Sequence, residues 1–226
     1  MATKTGKRTK KQSTSPDRLL KTAERLFAER GLDAVSLRLI SREAGDLNTA
    51  SVHYYFGTRE ALIDAVLARR LPAINARREA AMAALETAGS TPELRDVLAC
   101  HIRSLADEMT EGQGGGNYAR FIAQAYASTE FDIAEMANRH GEKTFRRVAE
   151  MARPLLPHLP ADIFRERIGI MFRTVVYVFA DWERDRHADP SGNKRPPIDA
   201  FTEDLIDTQT AALSAPCSRV EDARTR

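Results

Sequence analysis

Cysteine is almost missing from this chain. Its two thiols, Cys100 and Cys217, stand far apart and outside any CxxC or Cys/His spacing. That argues against a disulfide framework and fits a reducing compartment. Long apolar runs are missing too. The longest candidate, from Ile168 to Trp182, is interrupted by Arg173 and Asp181, so no membrane span is expected. The Lys- and Thr-rich N-terminus has no apolar core and does not read as a secretory signal. There is no alternating strand pattern and no internal repeat. Catalytic groupings are equally scarce. Gly114-Gly115-Gly116 lacks the Lys-Ser/Thr of a phosphate-binding loop, and no Ser/His/Asp set stands out. Cys100, His101 and His140 supply no third metal ligand at helical spacing. Neither an enzyme nor a metal or cofactor site is expected, and an all-helical enzyme is kept only as a remote alternative.

What the chain does contain is ordinary globular material: 42% hydrophobic and 29% charged over 226 residues, enough for one large domain or a small and a larger one. The charge is unevenly spread. The first sixty residues hold twelve basic and seven acidic side chains, and the rest hold 22 and 25. A basic N-terminal part on an acidic body points to a polyanion partner for the first part, with a solvated tail as the alternative.

Residues 1–14 are polar and basic and are expected to be disordered. Ser15-Pro16 reads as a helix start, and Leu19, Leu20, Ala23, Leu26 and Phe27 form a stripe that ends at Gly31. Ser36 caps a second short helix with Leu37, Ile40 and Ala44 inward. After Gly45, Asn48 or Thr49 caps a third, anchored by Val52 and Phe56. Thr58 caps a long fourth helix with Ala61, Leu62, Ala65 and Val66 inward, in which Pro72 is a candidate kink. Further helices are predicted from Thr91-Pro92 to Met109, from Asn117 to Ser128, from Glu130 to Arg153, over 161–185, and from Ile198 to Leu213. Residues 112–116 and 186–197 read as loops. The fold class is therefore all-α. A helix-turn-helix unit (15–71) is joined by the long helix to a larger helical domain (72–216), and a disordered tail (217–226) follows.

The segment Ser36 to Glu60, SLRLISREAGDLNTASVHYYFGTRE, carries the chemistry. A helix, a turn at Gly45 and a second short helix suit the major groove, where the second helix offers its N-terminal and outward residues to base edges. Those residues are Asn48, Thr49, Ser51, His53 and Tyr54. The hydroxyls of Tyr54 and Tyr55, the guanidinium of Arg59, and Ser36 and Arg38 at the start of the preceding helix are candidate phosphate contacts.

Helix 1 with Leu26-Phe27 and Gly31, followed by Val52-His53-Tyr54-Tyr55-Phe56-Gly57-Thr58-Arg59-Glu60-Ala61-Leu62, resembles the tetracycline-repressor (TetR) family. The close match covers about residues 15–70. The resemblance implies a regulator that binds double-stranded operator DNA as a homodimer. It also implies a C-terminal pocket whose small-molecule effector alters DNA affinity, and a four-helix bundle made from the last two helices of each subunit. It places His53 where the family often has a base-contacting Tyr, and Arg59 where a phosphate-binding Lys is common. One departure is visible: Asp46-Leu47-Asn48 lengthens the turn by a residue. A cytoplasmic, nucleoid-associated location follows. Two recognition helices would sit about 34–36 Å apart on a palindrome.

In the C-terminal half, His101, Phe121, Tyr126, Met136, Met171, Phe172 and Arg173 are candidate effector contacts, with plain core packing as the alternative for each. Phe179, Trp182, Phe201 and Leu205 are candidate dimer-seam residues, because they fall on apolar stripes of the last two helices. A cavity of several hundred cubic ångströms would favour a ligand-responsive repressor over a constitutive DNA-binding dimer.

Overall fold

A computed structural model describes residues 15–46, 50–111, 116–189 and 195–217, together with the side chains of all of these except 50, 111, 133, 134, 136–138, 141 and 142. The basic N-terminal segment, the candidate caps Asn48 and Thr49, most of the glycine connector and residues 218–226 lie outside the described residues. Among the described residues there is no strand. The helices are α1 (Pro16–Arg30), α2 (Leu37–Glu43), α3 (Ala50–Phe56), α4 (Arg59–Thr87), α5 (Leu94–Glu111), α6 (Tyr118–Ala127), α7 (Ile133–Ala152), α8 (Ala161–Ala188) and α9 (Ile198–Ser214). No helix of the described residues is long and apolar enough to cross a membrane.

Local chemistry sets the starts of these helices. Ser15 accepts from the Arg18 amide at 3.4 Å with Pro16 in the first turn. Ser36 accepts from Leu39 at 3.2 Å, and Thr58 accepts from Ala61 at 3.1 Å. Each satisfies one of the amides a helix start leaves unpaired. α4 runs unbroken through Pro72. Its inward residues include Leu62, Ile63, Val66 and Leu67, whereas Ala61, expected inside, is exposed. α8 continues to Ala188, past the expected end at 185. There a backbone bond from Asp189 to the Asp185 carbonyl closes its last turn.

α1 to α3 pack on one another and on the first turns of α4, burying Leu19, Leu26, Phe27, Ile40 and Val52 completely. Full burial of each large side chain contributes roughly 1.5–3 kcal/mol, so these few residues are enough to hold a unit with such short helices. α4 then passes between α5 and α7, and α6 lies against both α1 and α8. The N-terminal unit is thus fastened to the body at two places, α4 and α6. At the second, Phe27 of α1 meets Phe121 of α6 with ring centroids 6.1 Å apart.

The first fastening is ionic and buried. Arg70 of α4 makes two bonds to Glu24 of α1 (2.9 and 3.1 Å) and one to Glu108 of α5 (2.8 Å). Glu108 also accepts from Arg77 at 2.9 Å. A second buried carboxylate, Glu183 of α8, accepts from the amides of Ala119 (3.3 Å) and Arg120 (3.0 Å), at the start of α6. Burial pushes its pKa up from 4.5 to about 7, against the opposing pull of those two amides.

Two stability predictions follow from these groups. Arg70→Met strands the buried Glu24 carboxylate, leaving Glu108 with Arg77 alone, and should cost about 3–5 kcal/mol in urea unfolding; a loss below about 1 kcal/mol would show that the bridge is dispensable. For Glu183 the folded pKa lies above the unfolded one, so the native state binds more protons between about pH 4.5 and pH 7. Stability is therefore lost as pH rises through that window, on the order of 3 kcal/mol in all. The neutral Glu183→Gln variant lacks this loss. Melting curves of the two proteins should diverge between about pH 5 and pH 7 in favour of the variant, and parallel curves would contradict the shift.

Candidate functional site

The recognition surface is built by α2, the turn after it, and α3. Gly45, which ends α2, has φ 71°, and a Cβ there would lie 2.8 Å from the guanidinium of Arg18 on α1. The left-handed backbone is what requires glycine, since the end of the Arg18 side chain can give way. Val52 is fully buried and Phe56 is packed against the core, which fixes the rotation of α3. The opposite face is left to solvent. Tyr54 is 83% exposed and Tyr55 40%, their rings edge to face at 5.2 Å. Ser51 is half-buried, and Arg38 on α2 is exposed beside this surface. Ser36 is exposed as well, but its hydroxyl is engaged as the α2 cap.

His53 is exposed, and its Nδ1 lies 2.9 Å from the carbonyl oxygen of Gly57. A carbonyl can only accept, so Nδ1 carries the proton. In the neutral form of the ring, Nε2 is then an acceptor. In a major groove, an acceptor pairs with the amino groups of adenine or cytosine. Sequence reasoning placed His53 on this surface but had no means of assigning its tautomer.

Arg59 departs from its expected role. Its guanidinium bonds to Glu130 at 2.9 Å and to the carbonyl of Leu32, lies near Asp33, and sits 5.1 Å over the ring of Phe131. Instead of projecting toward a phosphate, it ties the start of α4 to the α1–α2 turn and to the α6–α7 loop. The same loop is held by Ser128, which donates to Asp33 at 2.8 Å.

In the body, a cavity of about 50 Å³ lies between α4, α5, α6, α7 and α8. His101, Tyr126 and Phe172, expected at an effector site, line it, together with Arg78, Tyr118 and Phe145 at the polar and aromatic end. The volume is far below the expected several hundred cubic ångströms. Other candidates are not brought there. Phe121 is fully buried at the α1 junction, and Met171 is fully packed in the core. Arg173 is exposed on the outer side of α8. The side chain of Met136 lies outside the described residues. Arg78 went unnoticed in the sequence because a lone Arg on a helix ordinarily reads as solvated.

The candidate seam residues are also corrected. Phe179 is fully buried and meets Phe201 within the chain at 5.9 Å, and Leu205 is buried beneath α5 and α8. Trp182 is buried and donates to the Pro196 carbonyl at 3.3 Å. Phe201 is half-buried. Phe179, Trp182 and Leu205 join α9 to the body of their own subunit, and of the four only Phe201 keeps free surface. The exposed apolar groups of α8 are Ile170 (49%) and Tyr177 (44%). Cys100, His101 and His140 have separate surroundings. The Cys100 thiol donates to the Asp96 carbonyl, His101 lies among aromatic rings, and His140 pairs with Asp64 at 3.0 Å.

Residues 19–66 match the family described as bacterial regulatory proteins, tetR family. Residues 99–212 match the family described as tetracyclin repressor-like, C-terminal domain. No curated protein matches by sequence at a significant level. Among solved structures, the chain is similar to the fatty acid degradation regulator FadR of Bacillus halodurans, with TM-score 0.59 and 11% identity over 87% of this chain and 98% of that one. It is similar to AmtR of Mycobacterium smegmatis, with TM-score 0.57 and 20% identity over 95% and 93%. A third is NalD of Pseudomonas aeruginosa, the secondary repressor of the MexAB-OprM multidrug efflux pump, with TM-score 0.54 and 19% identity over 87% and 93%. At these identities the likeness is one of fold.

His53→Ala should change base preference, removing discrimination worth roughly 1–3 kcal/mol at one position per half-site. Tyr54→Ala should weaken binding to all sequences alike, without lowering the melting temperature, since its ring is largely exposed and meets that of Tyr55. Selection from a random duplex pool with each variant checks this. An unchanged preferred site for the His53 variant would remove that residue from the readout.

Proposed function

This chain belongs to the tetracycline-repressor family of bacterial regulators, and on that premise we propose that it is a repressor released from its operator by a small-molecule effector. The observation that carries the DNA-binding part is the exposed face of α3. Two tyrosines and an oriented histidine project from a helix whose other face is locked into the core, a surface with no use inside the protein. His53 reads a base edge. Tyr54, Tyr55 and Arg38 contact phosphates. The protein works in the cytoplasm as a homodimer, with Ile170 and Tyr177 on the outer face of α8 covered by the partner.

The route from effector to DNA follows the fastenings. The cavity is walled by α4 and α6, and the same two helices hold α1. An effector that widens the cavity displaces them, and with them α1 and the recognition helix. The spacing of the two recognition helices in the dimer then changes, and effector and DNA weaken each other by the same factor. The small size of the cavity favours a second reading, a constitutive DNA-binding dimer whose body only dimerises. The polar groups lining the cavity favour the first.

The test has two steps. Genomic fragments captured by the purified protein define an operator, and its affinity is measured against salt and then against a compound library. With one cationic phosphate contact per subunit, Arg38, log K should fall with log salt at a slope of about −2 or steeper for the dimer. A flat salt response would remove the DNA-binding reading. Operator release by some compound is the outcome expected for an effector-controlled repressor, and a protein that no compound releases is the constitutive binder.

A further inference from the structure

Among the described residues, the buried charges are matched, with one exception. Arg70 has Glu24 and Glu108, Arg77 shares Glu108, and Glu183 accepts two amides. Arg78 of α4 is 2% exposed, and its Nη1 bonds only to neutral oxygens, Asn75 Oδ1 at 2.9 Å and Thr144 Oγ1 at 3.0 Å. Its Nε has no hydrogen-bond partner. The carboxylate nearest in sequence, Glu79, is paired with Arg147. Tyr118 also faces Arg78, but burial raises its pKa far above the usual range, so it stays protonated. Among the described residues Arg78 therefore has no ion-pair partner: Glu79 acts on it only from a distance, and its closest charge-accepting contact is the face of Phe145 at 4.6 Å. An unpaired buried cation is among the costliest groups a core can contain.

Beside it lies a second unpartnered group. His101 of α5 is 3% exposed, with its ring 4.7 Å from Phe172 and 5.7 Å from Phe145. Neither ring nitrogen has a hydrogen-bond partner. Burial and the neighbouring Arg78 charge hold the ring neutral, so it offers one N–H donor. Both groups line the same cavity, whose remaining wall, apart from Tyr118 and Tyr126, is apolar: Leu67, Leu71, Ile74, Leu105, Ile122 and Val176 among others. Two nitrogen donors, one of them charged, stand in a largely greasy space.

Building on the effector reading above, we propose that this cavity takes a small organic acid, its carboxylate set against Arg78 and His101 and its short apolar or aromatic tail among the aliphatic side chains. The carboxylate supplies the missing counter-charge and accepts from the Arg78 Nε–H and the His101 N–H, bonds strengthened by the ionised partner. Amines are repelled by Arg78. Inorganic dianions are disfavoured by the apolar remainder of the wall. A cavity of about 50 Å³ holds roughly four water-sized groups. Short-chain acids therefore fit with little movement, and a single-ring acid fits once Ile122 or Phe172 shifts.

The experiment is calorimetry on the full chain with butyrate and benzoate, each against its neutral amide, butyramide and benzamide. The acids should bind about 10- to 100-fold more tightly than the amides, the range given by one or two charge-assisted bonds. Arg78→Met should erase that difference, and His101→Phe should shrink it while leaving amide binding unchanged. Nuclear Overhauser contacts from the benzoate ring to the methyl groups of Ile74, Leu105 and Val176 locate the acid without any variant. They carry the test, with the His101 variant, if Arg78→Met does not fold. Equal binding of acid and amide, a preference that survives in Arg78→Met, contacts to other methyl groups, or no binding of any of the four would overturn the assignment. Operator release is scored separately. A neutral compound that occupies the cavity and releases DNA sinks the acid class but leaves the effector reading. An acid that binds there without releasing DNA upholds the class and sinks the effector reading.

Discussion

The guanidinium of Arg70 is where the two halves of this protein become one body. It lies on α4, the helix both halves share, and it bonds a carboxylate from each side: Glu24 of the DNA-binding unit and Glu108 of the larger domain. Three charged groups leave water together, and their mutual bonds offset the desolvation only while the geometry holds. α1 and α5 therefore cannot shift independently of α4. The ties from Arg59, Ser128 and the Phe27–Phe121 contact repeat the constraint through α6 and the loop after it. A rearrangement of the body must move the recognition unit or break these ties.

Arg78 lies two turns further along α4 and shows the opposite arrangement. Its hydrogen bonds to Asn75 and Thr144 fix its position without neutralising its charge. A fully matched bridge gives rigidity, whereas an unmatched cation beside a small apolar space gives an affinity waiting for an anion. Placing both on one helix links the proposed effector contact to the DNA-binding unit by a short, stiff path. That link works in both directions, as linkage requires.

Much of the fold could be read from the chain because its signals are local. Ser15-Pro16, Ser36 and Thr58 cap the helices they were expected to cap, and Gly31, Gly45 and Gly57 take the positive φ that such positions call for. A cap acts within one turn, so four or five residues suffice to recognise it. The inward anchors Val52 and Phe56 and the outward Tyr54 follow from helical period alone. Three of the seven candidate effector residues, His101, Tyr126 and Phe172, line the cavity. Periodicity put them on inward faces, but it did the same for Phe121 and Met171, which the core absorbed.

By itself, the sequence determined the helices, their caps, the helix-turn-helix and the face α3 shows to solvent, because each depends on neighbours a few residues away. Tertiary structure alone decided what covers each apolar stripe and what each charge meets. Phe179 and Trp182 lie on a stripe that suits a partner subunit, yet Phe201 of α9 and the Pro196 carbonyl of the same chain occupy it. Arg59 carries the charge of a phosphate contact, yet Glu130, 71 positions away, takes it. Arg78 looks like any surface arginine until Thr144 and Phe145, distant in sequence, enclose it. Period and charge state what a side chain requires, and the partner that meets the requirement comes from whichever segment the fold brings alongside.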